Sequence, residues 1–182
     1  MLKIVIYPNP ILDKIAQKVA FPLDNKTQEL VRQMHKRVEG IGVGLAAPQV
    51  NESLQLCIIR LDKDMAQKKD RDLDFVMINP RITFYSELES QMVEGCLSFP
   101  KQYYQIDRPA NIIVEYETII NYLDFVGEKK AKPVIKKKKL KAGGWLARVI
   151  QHEVDHLAGK LFINKGGKKI EEDKIDGSQI ID

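Results

Sequence analysis

With 182 residues and a hydrophobic fraction of 44%, the chain has the size and apolar content of one folded domain. We predict a single domain over residues 1–182, with a polar tail over about 164–182. No apolar run reaches the length of a membrane-spanning helix, so we expect no membrane partner, and the two cysteines stand in contexts that do not suggest a disulfide framework. The net charge of +4 is a mild basic bias that decides little by itself. The chain starts with strand-like residues and shows no charged and then apolar leader, so we expect no signal peptide.

The N-terminal third predicts an extended segment, a helix and a strand. Residues 2–7 are mostly apolar and predict an edge strand or an extended arm. Asp24 or Asn25 caps a predicted helix over residues 27–39, in which apolar residues recur at helical spacing. Residues 54–61 form a β-like run that is typical of a central strand.

A glycine-rich segment, GVGLAAPQ over residues 42–49, lies between this helix and this strand. Gly42 and Gly44 allow the backbone to turn sharply or to approach another group closely. One interpretation is a loop of small residues packed on a helix. The other is a backbone that lines a substrate site, followed by the side-chain amide of Gln49. The residues alone leave both interpretations open.

The middle of the chain predicts a charged loop and then a series of strands. Residues 62–74 are dense in both charge signs and predict an exposed loop. The β-like runs that follow, with a break at Pro80, are 75–79, 81–88, 89–94, 106–116 and 119–125.

A lysine-rich stretch at 127–141 follows these strands. Its lysines are Lys129, Lys130, Lys132, Lys136, Lys137, Lys138, Lys139 and Lys141. We favour a solvated hairpin whose lysines keep an exposed edge from pairing. The alternative is a transient contact of residues 129–141 with ribosomal RNA, because lysine clusters neutralise phosphate. In neither case do we expect sequence-specific binding of nucleic acid.

The sequence QHEVDHL places His152 and His156 four residues apart, with Glu153 directly after the first. On a helix, residues four apart lie on one face, so the two imidazoles can hold one metal ion and the glutamate can handle a proton from water. Apolar residues at helical spacing predict a helix over residues 145–157, and Gly159 lies where a left-handed cap often ends a helix.

A third ligand must come from elsewhere, and several candidates are open. The pattern HLAGKLF over residues 156–162 has Phe162 where an extended zinc-protease motif needs a histidine, which disfavours that class. Glu171 and Glu172 lie in a charged stretch of the kind that more often forms a solvated tail. We interpret His35 as a surface residue of the N-terminal helix.

A cysteine is the strongest candidate for the third ligand. Cys96 follows a glycine within VEGCLSFP, whereas Cys57 lies in an apolar run and suits a buried core position. A thiolate with two imidazoles is a common ligand set for a borderline-soft divalent metal and leaves one position open for water. A free thiol ligand also implies a reducing compartment, so we predict a cytoplasmic location.

Three segments, in this order, resemble the peptide deformylase family: GVGLAAPQ at 42–49, EGCLS at 94–98 and HEVDH at 152–156. The opening IVIYPNPIL at 4–12 is also similar, so the resemblance extends to about Phe162. It implies an α+β fold, with mixed or antiparallel sheets packed around a central helix that carries the HExxH motif. It also implies a metal-dependent hydrolase that removes the formyl group from the N-terminal formylmethionine of nascent polypeptides and releases formate.

The resemblance also implies roles for individual residues. The implied metal ligands are Cys96, His152 and His156. Fe²⁺ is the implied working metal, and zinc, nickel or cobalt can replace it in purified samples. Glu153 is the implied proton acceptor and donor, and the Gln49 amide and the Leu97 backbone N–H are the implied donors to the oxyanion. The implied substrate-binding residues are Val43, Gly44, Glu94, Gly95, Trp145, Arg148 and Val149.

Arg148 is the main departure from the family, since relatives commonly carry an apolar residue at this position. We expect its guanidinium to bend away to solvent and to influence the substrate residue that follows formylmethionine. Two rival functions stay open: a metalloprotease of another class, and a non-catalytic deformylase-like module that binds ribosomes or peptides.

Overall fold

The computed structural model of the chain describes residues 2–61, 73–174 and 180–181. Within these ranges the helices are α1 (Asn25–Val38), α2 (Tyr122–Gly127) and α3 (Gly144–Leu157). The strands are β1 (Gly44–Ala46), β2 (Leu56–Leu61), β3 (Leu73–Tyr85), β4 (Glu89–Glu94), β5 (Tyr103–Pro109), β6 (Asn111–Ile119), β7 (Ile135–Gly143), β8 (Lys168–Ile170) and β9 (Ile180–Ile181). The predicted loop at 62–74 lies outside the described residues except for its last two positions. No helix in the described ranges is long and apolar enough to cross a membrane.

Two sheets contain the strands. The five-stranded sheet has the order β1-β2-β3-β6-β7, and all neighbouring strands in it are antiparallel. The four-stranded sheet has the order β8-β5-β4-β9, in which β9 pairs with β4 in parallel and the other pairs are antiparallel. Because α3 packs on β1, β2, β6 and β7, the predicted α+β fold around a central motif-bearing helix is confirmed.

Strand β2 shows that both faces of the five-stranded sheet are covered. Leu56 and Ile58 belong to the core cluster that includes the buried side chains of α1, whereas Cys57 and Ile59 belong to the cluster that includes those of α3. All four residues are fully buried. Neighbouring strand residues point to opposite faces, so a strand covered on both sides is apolar along its length, as the sequence indicates.

Both long helices were predicted, and their observed ends lie within one or two residues of the predicted ends. In α1, the Asp24 carboxylate accepts from the Thr27 backbone N–H at 2.7 Å, so Asp24 is the cap. Just past the end of α3, Gly159 has a φ of +65°. A Cβ at this position would lie 2.5 Å from the carbonyl oxygen of Asp13, so the site requires glycine for its conformation and for the close approach of the two backbones.

The strand predicted over residues 119–125 is wrong, because β6 ends at Ile119 and the chain then forms α2. Tyr122, Phe125 and Val126 recur at helical spacing and are buried in the same core cluster as the apolar residues of α1. A short apolar run is compatible with both a helix and a strand, and here packing against α1 selects the helix.

The predicted break at Pro80 is a bulge within a continuous strand. β3 runs through this residue, its register against β6 shifts between Ile78 and Arg81, and Asn79 has a φ of +50°. Proline has no N–H to contribute to a sheet, and a bulge is one of the places where a strand accommodates it.

The hairpin predicted at 127–141 is in part an edge strand. β7 pairs with β6 along its whole length and is the last strand of the five-stranded sheet in the described chain. Residues 136–139, all lysines, are exposed along it, which keeps such an edge from pairing further. In the predicted polar tail, β8 and β9 join the four-stranded sheet, which the sequence patterns did not indicate.

Candidate metal centre

Cys96, His152 and His156 form a group of potential metal ligands in the described part of the chain, and this group does not include Glu171 or Glu172. Helix α3 presents both imidazoles, and the loop after β4 brings in the thiol. The candidate ligand atoms lie within 4.8 Å of one another, and the Cys96 Sγ is 3.3 Å from the His156 Nε2. All three side chains are buried. A thiolate and two imidazoles in this arrangement fit a borderline-soft divalent cation.

The other positions considered for a third ligand have structural roles. The Phe162 ring packs against the His152 ring, with the two centroids 5.6 Å apart. Cys57 is fully buried in the core, where burial raises the pKa of its thiol. His35 is half-buried, and its Nδ1 lies 3.4 Å from a carboxylate oxygen of Asp74, so the interpretation of His35 as a simple surface residue is wrong.

Glu94 holds the ring of His152 from the side away from the thiol. Its Oε2 lies 2.9 Å from the His152 Nδ1, which leaves Nε2 for the metal. Arg108 donates to both carboxylate oxygens at 2.6 and 2.7 Å, and Arg148 donates to Oε1 at 3.0 Å. Burial alone would raise the pKa of Glu94, but the hydrogen bonds from His152 and Arg108 outweigh burial and hold this pKa well below its usual range. An ionised carboxylate behind an imidazole ligand fixes the orientation of the ring.

Arg148 belongs to this buried network and does not reach solvent. It is 1% exposed, and its guanidinium donates to Glu94, to the Ile106 carbonyl at 2.9 Å and to both oxygens of Ser90. The expectation that it bends outward is therefore wrong. A buried carboxylate, two backbone carbonyl oxygens and a hydroxyl accept from this guanidinium, so its charge is compensated inside the protein.

Arg108 and Asp155, which complete the network, were missed by sequence reasoning. Arg108 donates to the Asp155 carboxylate as well as to Glu94, and Asp155 also lies 2.9 Å from the Lys165 ammonium. The position of Asp155, between the two histidines of the motif, is a signal that could have found it. Arg108 belongs to no motif, because its contacts join β5 to β4 and to α3.

Glu153 lies on α3 directly after His152 and, unlike Glu94, lacks a full set of partners. It is 3% exposed, and its Oε2 makes no hydrogen bond within the described residues. Burial raises the pKa of Glu153 to about 7, against the opposing influence of His152 and Arg108. A Cβ on Gly44 would overlap the Glu153 Oε1, so the glycine leaves the room that this carboxylate occupies.

Gln49 directs its amide at the thiol of Cys96. Its Oε1 accepts from the Ala46 backbone N–H at 2.8 Å, and its Nε2 lies 3.4 Å from the Cys96 Sγ. The bond from Ala46 therefore determines that the N–H end of the amide points into the site. Leu97 directly follows Cys96, so both expected oxyanion donors lie beside the same ligand.

The remaining residues expected at the substrate site are buried or half-buried. Gly95 is buried immediately before Cys96. Val43 and Trp145 are half-buried and pack against the core cluster of α3, whereas Val149 is fully buried within that cluster. A role in substrate binding stays a prediction for each of them.

A buried group of one cysteine and two histidines, with an incompletely partnered glutamate on the same helix, defines a metal-dependent hydrolase. The model of the polypeptide deformylase family matches residues 1–172. The chain therefore belongs to the polypeptide deformylase family, and the predicted fold and peptide deformylase activity are confirmed.

Individual relatives agree with this assignment. The peptide deformylase of Mesorhizobium japonicum is 32% identical over 191 residues, which cover 97% of each chain. Peptide deformylase 1 of Bacillus cereus is 35% identical over 97% of this chain and 99% of its own. The crystal structure of a peptide deformylase from Synechococcus elongatus in complex with actinonin matches with a TM-score of 0.72 and 32% identity, over 90% of this chain and 78% of that chain.

Proposed function

We propose that Glu153 is the general base and acid of deformylation and that Gln49 and Leu97 stabilise the oxyanion. Glu153 accepts a proton from the attacking water and delivers it to the leaving amine. The Gln49 amide and the Leu97 backbone N–H donate to the formyl oxygen as negative charge develops on it, and one such donor contributes on the order of 3–4 kcal/mol. A divalent ion held by the cysteine and the two histidines supplies Lewis acidity and lowers the pKa of water when it is bound.

The observation that carries this proposal is the incomplete hydrogen bonding of Glu153. Its Oε2 is buried without a partner among the described residues, whereas both oxygens of Glu94 accept from arginine or histidine. A carboxylate saturated by cationic donors holds no proton at neutral pH, so Glu94 is unsuited to proton transfer. Glu153, with a pKa of about 7, can both accept and release a proton.

The test is formate release from formyl-Met-Ala-Ser by the metal-loaded protein, followed by mass spectrometry of the peptide. We expect one formate for each deformylated peptide, with every peptide bond intact. Cleavage of a peptide bond would support a metalloprotease of another class. A protein that holds metal but never turns over would support the non-catalytic module that binds ribosomes or peptides.

We propose Fe²⁺ as the metal that works in the cell. The ligand set is compatible with this choice, because imidazole and thiolate bind iron as well as zinc. A ferrous ion bound to sulfur is readily oxidised, so an iron enzyme of this kind should lose activity in air. Purification without oxygen, followed by metal analysis, should find iron, and activity should decay on exposure to air. Zinc, nickel or cobalt samples should survive the same exposure. A fully active zinc protein from an anaerobic preparation would contradict the proposal.

We propose that residues 129–141 make a transient contact with ribosomal RNA. The loop before β7 is held in place by Arg32, whose guanidinium lies 3.9 Å from the centroid of the Phe125 ring and donates to the carbonyl oxygens of Phe125 and Ala131. The lysines of this loop therefore project from an ordered backbone.

Charge on β7 is only partly neutralised. Lys137 and Lys139 lie 3.9 and 3.1 Å from glutamates of β6, whereas Lys136 and Lys138 have no ion-pair partner among the described residues. The exposed, unpaired ammonium groups can therefore displace counterions from phosphate.

Neutralising the unpaired lysines tests this contact. Lys136→Gln with Lys138→Gln should weaken co-sedimentation with ribosomes and lower the slope of log affinity against log salt by about two. Lys14→Gln with Lys160→Gln makes the same charge change elsewhere and should have a smaller effect. Equal losses from both pairs would show only a dependence on net charge and would remove the proposed surface.

We infer a cytoplasmic location, because the substrates are nascent chains and the thiol ligand requires a reducing compartment. Fractionation of the native host, with detection of the chain in the cytoplasm, tests this inference. Organisation as a single domain over residues 1–182 also stays a prediction, and limited proteolysis tests it.

A further inference from the structure

The extended segment at residues 4–7, called here the N-terminal arm, is hydrogen-bonded to both loops that carry the expected oxyanion donors. The Val5 backbone N–H donates to the carbonyl oxygen of Gln49 at 2.8 Å. Two residues later, the Tyr7 backbone N–H donates to the carbonyl oxygen of Ser98 at 3.0 Å. Ser98 directly follows Leu97, so one short stretch of chain spans the distance between the two donors.

The side chains of the arm reinforce this bridge. Ile4 packs against the core cluster that contains Ala47 and Val50, on the Gln49 side. Val5 packs against the separate cluster that contains Cys96. Successive residues of an extended chain point in opposite directions, so the arm is wedged between the two loops.

Aromatic contacts continue from the arm to the ligand helix. The Tyr7 ring stacks on Phe99 with a centroid distance of 5.0 Å, and Phe99 meets Phe162 edge-on at 5.3 Å. Phe162 in turn packs against His152 at 5.6 Å. The arm therefore contacts the backbone of Gln49 and the backbone of Ser98, next to Leu97. It also reaches His152 through the rings of Phe99 and Phe162.

The two donor loops are connected through side chains, because Leu97 packs against the core cluster that contains Ala47 and Val50. Gln49 reaches Cys96 through its side chain, but in the described part of the chain no backbone hydrogen bond joins residues 47–50 to residues 95–98. The backbone carbonyl of Gln49 is held by Val5, and oxyanion donors are effective only when they are held before the charge develops. The arm therefore supplies the backbone hydrogen bonds that link the two donor loops.

We propose that the N-terminal arm is a positioning element for the oxyanion donors, in which the Val5 N–H holds the Gln49 backbone and the Tyr7 N–H holds the loop that carries Leu97. Within the described residues, the arm makes no hydrogen bond to Cys96, His152 or His156. This proposal rests on the proposed role of Gln49 in the reaction. Its signature is a loss of kcat that disappears when the Gln49 amide is absent.

The experiment removes the Val5 N–H with Val5→Pro, in the wild-type protein and in a Gln49→Ala background. Val5→Ala is the matched control, because it shortens the side chain and keeps the N–H. Lys3→Pro is a second control, because it places proline in the same segment at a residue whose N–H makes no hydrogen bond among the described residues. Formate release gives kcat and KM, and metal analysis gives occupancy.

In the wild-type background, Val5→Pro should lower kcat by about tenfold to a hundredfold, the loss expected from a small misplacement of a catalytic group. KM and metal occupancy should stay as in wild type, since the donors act in the transition state. Lys3→Pro should change kcat by less than about twofold, and Val5→Ala, which loses side-chain packing but keeps the N–H, should lose clearly less than Val5→Pro. In the Gln49→Ala background, Val5→Pro should have almost no further effect, because the two changes act through one group.

A wild-type kcat in folded Val5→Pro, or the same fold-loss in both backgrounds, would overturn the proposal, since a general loss of structure acts independently of Gln49. If Gln49→Ala itself leaves kcat unchanged, the proposed role of Gln49 fails first, and the positioning role fails with it. Hydrogen exchange of the wild-type protein gives an answer without any variant. The Val5 and Tyr7 amides should exchange slowly, and exchange at the rate of an unfolded chain would also overturn the proposal.

Discussion

Arg148→Leu should destabilise the protein without changing its preference for the substrate residue after formylmethionine. The leucine removes the buried donations to Glu94, to the Ile106 carbonyl and to Ser90. Removing one partner of a buried ion pair costs about 3–5 kcal/mol, because the charge that remains has lost part of its compensation. In a chain of this size, each kcal/mol shifts Tm by about 2–4 °C, so we expect a decrease of about 6–20 °C.

Urea unfolding of the metal-loaded protein measures this loss. Trp145, the one tryptophan of the sequence, lies in the first turn of α3 and reports on the helix that carries Arg148. Arg81→Leu is the matched control, because Arg81 pairs with Glu115 at 2.9 Å on the surface, with 73% of its side chain exposed. Exposed pairs contribute little, so the control should unfold nearly as wild type does.

Two results would refute this reasoning. One is a loss of stability in Arg148→Leu no larger than that of the control. The other is a change in the ratio of kcat/KM between formyl-peptides with an acidic and a neutral second residue, which would return Arg148 to the substrate site. A constant ratio with a large loss of stability fits a guanidinium that acts entirely within the fold.

Four further changes test other parts of the structure. Glu153→Gln should lower kcat by about 10²–10⁴ with metal content unchanged, because a proton acceptor is lost and no ligand is; near-normal kcat would remove its assigned role. Gly44→Ala should lower kcat in a normally folded protein, because its Cβ would overlap the Glu153 carboxylate, and unchanged kcat would show that the carboxylate can move aside. Gly159→Ala should destabilise the protein by about 1 kcal/mol or more. The loss should exceed that of Gly40→Ala, because Gly40 shares the positive φ but has open space where the Cβ would lie. Equal losses would exclude a contribution from the contact with Asp13. Removal of the metal with a chelator should lower the urea midpoint and its return should restore it, whereas an unchanged midpoint would mean that bound metal does not stabilise the fold.

The part of the site on α3 can be predicted from the sequence, because His152 and His156 are related by local helical geometry. Cys96 is different, since 60 residues separate it from His156 and tertiary packing alone brings them together. No periodic pattern encodes such a contact; the residues around Cys96 made it the strongest candidate, and the resemblance to a known family then implied it as a ligand. The position of Glu153 beside His152 also follows from the local sequence. That its Oε2 has no hydrogen-bond partner among the described residues becomes visible only in the structure.

The features that sequence reasoning missed also depend on distant contacts. Helix α2 and the short strands β8 and β9 are each stabilised by neighbours that lie far away in the sequence. Arg108 acquires its role because β5 pairs with β4 and its guanidinium reaches both Glu94 and Asp155, which lies on α3. Arg148 was expected to bend out to solvent, but the acceptors that hold it inside the protein belong to distant strands.

The two buried glutamates of the site show how the same side chain acquires opposite pKa shifts. Both are almost completely shielded from solvent, so burial acts on each in the same direction and favours the neutral form. Donors from Arg108 and His152 reverse this effect at Glu94, whose pKa is lowered, while Glu153 keeps a raised pKa because its oxygen has no such partner. The ionised group can therefore hold His152 in one orientation, and the other can exchange protons near neutral pH. Arg108 separates these two functions, because it satisfies Glu94 with two hydrogen bonds and gives none to Glu153.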